Sequence, residues 1–370
     1  MTQTAQGAIE RLEELIPAGE DERDKRHKEY PAYLSHGLFT ADIKEIEDEE
    51  ATIDLLDDIG RCYQYLGEYN NAVLTHRKAV IRRERTVGLQ NERTLESINE
   101  LGLALGSQGN YDEAEKLHKQ GLSLKKETLG AGHPDTLVSM ANLATIHQSQ
   151  GRYDEAETLV TQVLEIRKTK LGGNHLETLT SMSNLASIYW NQGRYEDAET
   201  LEIEVLKTRK TKLGSDHPDT LTGMVNLAST YRNQGRYKEA EALDIQGLKI
   251  HKSKLGSDHP DTLTSMSNLA STYWNQGRYE EAEALEIQVL EIRKTKLGAD
   301  HPDTLRGMNN LAHTWKSQGR HTEALGLMND CLQRSQFVLG SSHPDTETTL
   351  ATIRDWNSEN PAEHVTSASN

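Results

Sequence analysis

One residue pattern returns every 42 positions, and it decides what this chain can fold into. His133, His175, His217, His259, His301 and His343 fall on that step. Each is followed by Pro-Asp-Thr except His175, where the run is Leu-Glu-Thr. Gly67, Gly109, Gly151, Gly193, Gly235, Gly277 and Gly319 keep the same interval, and so do Ala72, Ala114, Ala156, Ala198, Ala240, Ala282 and Ala324. Self-similarity at this period marks a stack of supersecondary units rather than one core wrapped in layers. Seven such units fit across residues 50–345. A hydrophobic content of 35% with 5% aromatic residues is thin for a single globule of 370 residues. It suits a stack, because each unit buries its apolar face only against its neighbours.

Residues 217–256 show how one unit is written. Pro218 suits a first helical position, where a missing N–H costs nothing, and Asp219 places negative charge at the positive end of the helix. Leu221, Met224, Leu227, Ala228 and Tyr231 then recur at the spacing of one helical face. Gln234-Gly235-Arg236 breaks the run, with Gly235 expected to end the helix in the left-handed region. A second helix carries Ala240, Leu243, Gly247, Leu248 and Ile250 on its buried side, and Leu255-Gly256 ends it. The methionine ladder of Met140, Met182, Met224, Met266 and Met308 lies on the apolar face and is expected in the core.

The order Leu227-Ala228, Tyr231, Gly235, Tyr237, Ala240 resembles the tetratricopeptide signature of large, small, aromatic, glycine, aromatic, alanine. The 42-residue length, the Asn-Leu-Ala stretches and the Leu-Gly-x-x-His-Pro-Asp corners are similar to the kinesin light chain subclass. The resemblance covers about four-fifths of the chain. It implies an all-α fold: a right-handed α-solenoid, or superhelix, of about seven tandem helix-turn-helix repeats with a C-terminal capping helix. There are departures. A second-helix position usually filled by a large apolar residue holds Glu202, Asp244 and Glu286. The next position holds Ile203, Ile245 and Ile287, so the buried stripe is expected to rotate toward the isoleucines. The first repeat, with Arg61 and Cys62, and the last, with His321 in place of tyrosine, are degenerate, as terminal units of a stack commonly are.

Residues 1–49 lie outside the repeat and are expected to form a helical lead segment, with Ala8–Ile16 as a short amphipathic helix. The run from Glu10 to Gly37 is similar to the segment that leads into the repeats of fungal NACHT- or NB-ARC-type STAND signalling ATPases. Residues 346–357 are expected to form a capping helix, and 358–370 a disordered tail. No Gly-Lys dipeptide occurs in the sequence, so no phosphate-cradling P-loop can be drawn. Residues 1–49 also lack the sustained heptads that a motor-binding coiled coil requires.

In tetratricopeptide superhelices the first helix of each unit faces the inner side. At 100° per residue, the face opposite its apolar stripe can be read directly. In the fourth unit that face holds Thr180, Ser183, Asn184, Ser187, Trp190 and Asn191. The fifth gives Thr222, Val225, Asn226, Ser229, Arg232 and Asn233. The sixth gives Thr264, Ser267, Asn268, Ser271, Trp274 and Asn275, and Asn310 continues the asparagine ladder. A tryptophan on a solvent face has no core role, and amides can both donate to and accept from a bare peptide backbone. The candidate partner-binding residues are therefore Asn184, Trp190, Asn191, Asn226, Arg232, Asn233, Asn268, Trp274, Asn275 and Asn310. The alternatives are that the asparagines bond between repeats and that the indoles pack on the adjacent first helix. Charge along this face runs from acidic (Asp54, Asp57, Asp58, Glu96, Glu100) to basic (Arg306, His313, Lys316), which would orient a bipolar ligand.

The function classes narrow accordingly. A formal net charge of −17 argues against a nucleic-acid or anionic-membrane partner. Basic runs such as Ile292-Arg293-Lys294-Thr295-Lys296 follow acidic first turns and read as complements of the helix dipole. Periodic histidines about 10 Å or more apart cannot share one zinc ion, so they read as helix caps. No nucleophile and base are set together by spacing, so neither an enzyme nor a cofactor is expected. Two distant cysteines, Cys62 and Cys331, and no secretory leader fit a cytoplasmic protein. The reading is a non-catalytic scaffold that takes a protein or extended peptide, as the recognition arm of a STAND-type protein or, alternatively, as a kinesin light chain-like cargo adaptor.

Overall fold

The computed structural model describes residues 49–359. Among them every regular element is an α-helix, fifteen in all. In chain order these are α1 (Glu49–Tyr65), α2 (Tyr69–Val87), α3 (Glu92–Ser107), α4 (Tyr111–Thr128), α5 (Pro134–Ser149), α6 (Tyr153–Leu171), α7 (Leu176–Asn191) and α8 (Tyr195–Leu213). They continue with α9 (Pro218–Asn233), α10 (Tyr237–Leu255), α11 (Pro260–Asn275), α12 (Tyr279–Lys296), α13 (Pro302–Ser317), α14 (His321–Val338) and α15 (Pro344–Glu359). The expected lead helix at Ala8–Ile16 and residues 360–370 of the expected tail lie outside the described residues, while Ser358 and Glu359, expected in the tail, belong to α15. The chain divides into two compact units, Met1–Lys254 and Leu255–Asn370, and each is described by itself.

In both units a first helix of 16 or 17 residues is followed by a second of 18 or 19. The corners between repeats explain the Leu-Gly-x-x-His-Pro-Asp-Thr motif. Gly256 sits at φ 90°, a backbone state that a side chain would strain. Thr262 Oγ1 donates to the Gly256 carbonyl at 2.8 Å. His259 caps α11 by accepting the Asp261 N–H on Nδ1 at 3.2 Å. The same latch recurs at Gly172 and Thr178, where His175 caps α7 without a proline. A side-chain cap of this kind contributes about 1 kcal/mol. The corner inside a repeat uses Gly235 at φ 74°, as the sequence required.

The first unit packs Leu179, Met182, Leu185 and Ile188 of α7 against Val160 and Leu164 of α6 and Val205 of α8. Leu221, Met224 and Leu227 of α9 close over Leu206 of α8. In the second unit Leu305, Met308 and Leu311 meet Leu290 and Cys331. All five ladder methionines are at most 2% exposed. α15 ends that unit by burying Ile353 and Trp356 against Ala312, Ala324 and Met328, while Arg354 and Asp355 point to solvent.

A second tie between repeats was not read from the sequence. Arg236, just past the α9 corner, stacks its guanidinium 4.1 Å from the Tyr231 ring centre. It donates to Glu199 of α8 at 2.7 Å and to Glu239 at 3.0 Å. Arg152 and Arg194 reach back to Glu115 and Glu157 in the same way, and Arg320 does so to Glu283 in the second unit.

The expected rotation of the second-helix stripe does not occur. Glu202, Asp244 and Glu286 are 6%, 4% and 7% exposed, whereas Ile203, Ile245 and Ile287 are 44%, 46% and 40% exposed. The alanine and glycine corners fix helix orientation too firmly for one residue to turn it. The acids are accommodated instead. Asp244 accepts from Arg232 Nη1 at 3.1 Å. Burial pushes the Glu202 and Glu286 carboxyls up to about 7, against the opposing effect of Thr230 and Thr314.

Candidate peptide-binding face

The first-helix face opposite the core is open in both units. In α7, Thr180 and Ser187 are exposed and Ser183, Asn184, Trp190 and Asn191 half-buried. In α9, Asn233 is exposed and Asn226 half-buried, and in α11 Trp274 is 37% exposed beside half-buried Asn268 and Asn275. Asn310 of α13 is exposed. The individual side chains do different things on this face.

Asn184, Asn226 and Asn310 make no side-chain hydrogen bond among the described residues, and Asn268 Nδ2 is buried without a partner. One ladder bond exists earlier in the array, from Asn142 Nδ2 to Asn99 Oδ1 at 2.6 Å. The asparagines at the helix ends are tied down. Asn191, Asn233 and Asn275 donate to the carbonyls of Ser187, Ser229 and Ser271, each four residues back. The indoles differ as well. Trp274 donates Nε1–H to Ser317 Oγ at 3.1 Å and meets Tyr279 with ring centres 6.3 Å apart. Trp190 meets Tyr195 edge-on at 6.3 Å, and its Nε1 is buried without a partner. Arg232 is turned inward to the buried Asp244, and burial lowers its pKa. Its charge is spent inside the repeat, a role the sequence reading did not give it.

The expected charge gradient is largely neutralised by the protein itself. Arg83 of α2 holds Asp54 and Asp57, and Arg61 holds Asp58. At the other end Arg306 pairs with Asp303 and Lys316 with Glu359, while His313 stacks edge-on over Trp356 at 5.0 Å. The charge of Glu100 acts on Arg61, and Glu96 forms no ion pair among the described residues. They line a recess of about 480 Å³ whose wall also includes Asp54, Arg83, Lys125 and Asp135. Further buried positive charge lies in Arg209 and Arg293 near the ends of α8 and α12, on which the charges of Asp219 and Asp303 act without an ion pair. Both are buried, and burial lowers the pKa of each. The signal that could have found them is their place in a basic series at 42-residue steps, which the dipole argument absorbed. Among the described residues no group of three metal-ligating side chains comes together, and no helix is long and apolar enough to cross a membrane.

Comparison with known proteins places these features. Tetratricopeptide repeat family models match residues 92–169, 135–211, 177–253 and 219–295, and a second such model matches 52–92 and 304–345. No curated protein matches the chain. Among solved structures, the nearly identical TPR-like repeats of a Podospora anserina kinesin light chain candidate are 33% identical. That match covers 54% of this chain and 95% of the other, with a TM-score of 0.46. A Rap protein complexed with Competence and Sporulation Factor is 13% identical, covering 96% and 98% of the two chains with a TM-score of 0.56. Yeast Tom70 is 12% identical, covering 93% of this chain and 61% of its own, with a TM-score of 0.55. The last two show a shared fold.

Proposed function

Because the chain belongs to the tetratricopeptide repeat family, we propose that it is a non-catalytic scaffold that takes an extended peptide, or an extended segment of a partner protein, along its first-helix faces. The observation that carries this reading is the set of unspent amides. Asn184 and Asn226 in the first unit and Asn310 in the second sit on faces the core does not use and make no side-chain hydrogen bond among the described residues. A buried or half-buried amide without a partner is costly, and a peptide backbone supplies one donor and one acceptor per residue to meet it. The exposed face of Trp274 adds apolar area of the kind that anchors interfaces. The net charge of −17 favours a protein partner over nucleic acid or an anionic membrane.

The resemblance of the lead segment to that of STAND proteins supports a place as the recognition arm of such a molecule in the cytoplasm. The alternative, a cargo adaptor, is favoured by the kinesin light chain-like repeat length. The decisive experiment is Asn184→Ala combined with Asn226→Ala. Neither amide supports the fold, so helical content and melting should stay at wild-type values while capture of a selected peptide falls at least tenfold. Loss of helical structure in this variant would show the asparagines to be structural and would refute the reading.

A further inference from the structure

Six of the seven repeats place one residue of a basic series near the end of the second helix, beneath the first helices: Arg83, Lys125, Arg167, Arg209, His251 and Arg293, with Ser335 in the seventh. Arg83 shows what a guanidinium at this place requires. Its Nη1 donates to Asp57 Oδ2 at 2.9 Å, to Ser97 Oγ at 2.6 Å and to the Arg93 carbonyl at 3.2 Å, while Nη2 is held by Asp54. Two carboxylates and a hydroxyl neutralise a side chain that is 4% exposed.

Three repeats on, Arg209 is equally buried at 5% exposure, and all three partners are gone. Thr180 stands in the register of Asp54, Ser183 in that of Asp57, and Gly223 in that of Ser97. Nη1 keeps only the Asp219 carbonyl at 3.0 Å. Nη2 faces Thr180 Oγ1 at a long 3.5 Å, and Nε has no partner. The hydroxyls of Thr180 and Ser183 donate to the Leu176 and Leu179 carbonyls of their own helix. Packing does not demand the glycine. A Cβ at Gly223 would meet Leu206 at 3.5 Å, an ordinary contact. The charge of Asp219 acts on the guanidinium, but no ion pair to its carboxylate forms; a buried cation so weakly compensated is unfavourable, so the vacancy calls for an anion from outside. Thr180 is exposed, which leaves the approach open, and Asn184 lies one turn along on the same face.

We propose that Arg209 is a subsite for an acidic side chain, aspartate or glutamate, of the extended peptide bound on this face. The inference rests on the peptide-scaffold reading above and adds the chemistry of one ligand position. The incoming carboxylate takes the place that Asp54 fills at Arg83, accepting from Nη2, while Asn184 holds the neighbouring peptide backbone. Charge-assisted bonds of this kind are stronger than neutral ones and fix the register of the ligand. The second unit repeats the arrangement. Arg293 donates Nη1 to the Asp303 carbonyl at 3.1 Å, with Thr264, Ser267 and Gly307 in the three vacated registers.

The test uses the full chain and a phage-displayed library of random 12-residue peptides. Selected binders should share an acidic residue at one position, and its replacement by the matching amide should weaken binding at least tenfold by fluorescence anisotropy. Thr180→Asp, which supplies the missing carboxylate from the protein, should erase that tenfold difference and raise the urea midpoint. Binders without a shared acid, or an acid dependence untouched by Thr180→Asp, would overturn the subsite and leave the peptide reading standing. Phosphoserine at the shared position binding ten times tighter than glutamate would overturn the carboxylate assignment in favour of a phosphopeptide. A selection yielding no binder would remove the peptide reading and this inference with it.

Discussion

Glu202 gives the sharpest physical prediction, because it is a carboxyl with no counter-ion in a core position. It is 6% exposed, its Oε2 has no partner, and burial lifts it from 4.5 to about 7. The nearby acid Glu199 pushes the same way, while Thr230 opposes it. The folded state therefore holds the proton at pH values where the unfolded chain has lost it. The stability that Glu202 contributes is fully present below pH 4.5, is lost as pH rises toward 7, and stays lost above that. The difference between the two states corresponds to about 3 kcal/mol for this one residue, and Glu286 in the second unit should behave alike. Urea unfolding of wild type and Glu202→Gln at pH 5 and pH 8 isolates the effect, since glutamine keeps the shape and cannot ionise. The variant should gain on wild type by about 3 kcal/mol between the two pH values. Parallel pH profiles would show that Glu202 ionises freely, through water reaching the carboxyl, and would refute the argument.

Other perturbations separate the remaining interactions. Asp244→Asn leaves the Arg232 guanidinium uncompensated and should cost about 3 kcal/mol in urea unfolding. Arg232→Trp together with Asp244→Glu, which rewrites the pair as Trp190 and Glu202 have it, should recover much of that loss. His259→Ala removes the α11 cap and should destabilise by about 1 kcal/mol, whereas His259→Asn should be close to neutral. Arg236→Gln breaks the stack on Tyr231 and the tie to Glu199, so the melting temperature should fall, and high salt should narrow the gap to wild type.

The repeat, the helix pairs, the glycine corners and the histidine caps were legible because each is a local rule repeated many times. A 42-residue step multiplies a weak signal such as His-Pro-Asp until it is unmistakable. The solvent face of the first helices was equally legible, since it follows from 100° per residue. What periodicity cannot give is where a long side chain ends. Arg232 lies on the open face by its backbone position, yet its guanidinium reaches Asp244 on the following helix. Arg209 lies among lysines that serve the helix dipole, and only its burial separates it from them. The acids at Glu202, Asp244 and Glu286 reversed the expected stripe for a related reason. A helix held by packed alanines and rigid corners keeps its orientation, and the ionisable group changes its protonation or finds a partner instead.

The corner at Gly172, closed by Thr178 and His175, uses nothing outside its own dozen residues, and the preceding corner at Gly130, with Thr136 and His133, is its near copy. A gene losing or gaining one whole 42-residue segment between such points rejoins like to like, with no junction to invent. Unequal crossing-over between near-identical segments could thus lengthen or shorten the array at little structural risk. Each such event would change how many first-helix faces the chain carries, so their number becomes a quantity that inheritance can tune in steps.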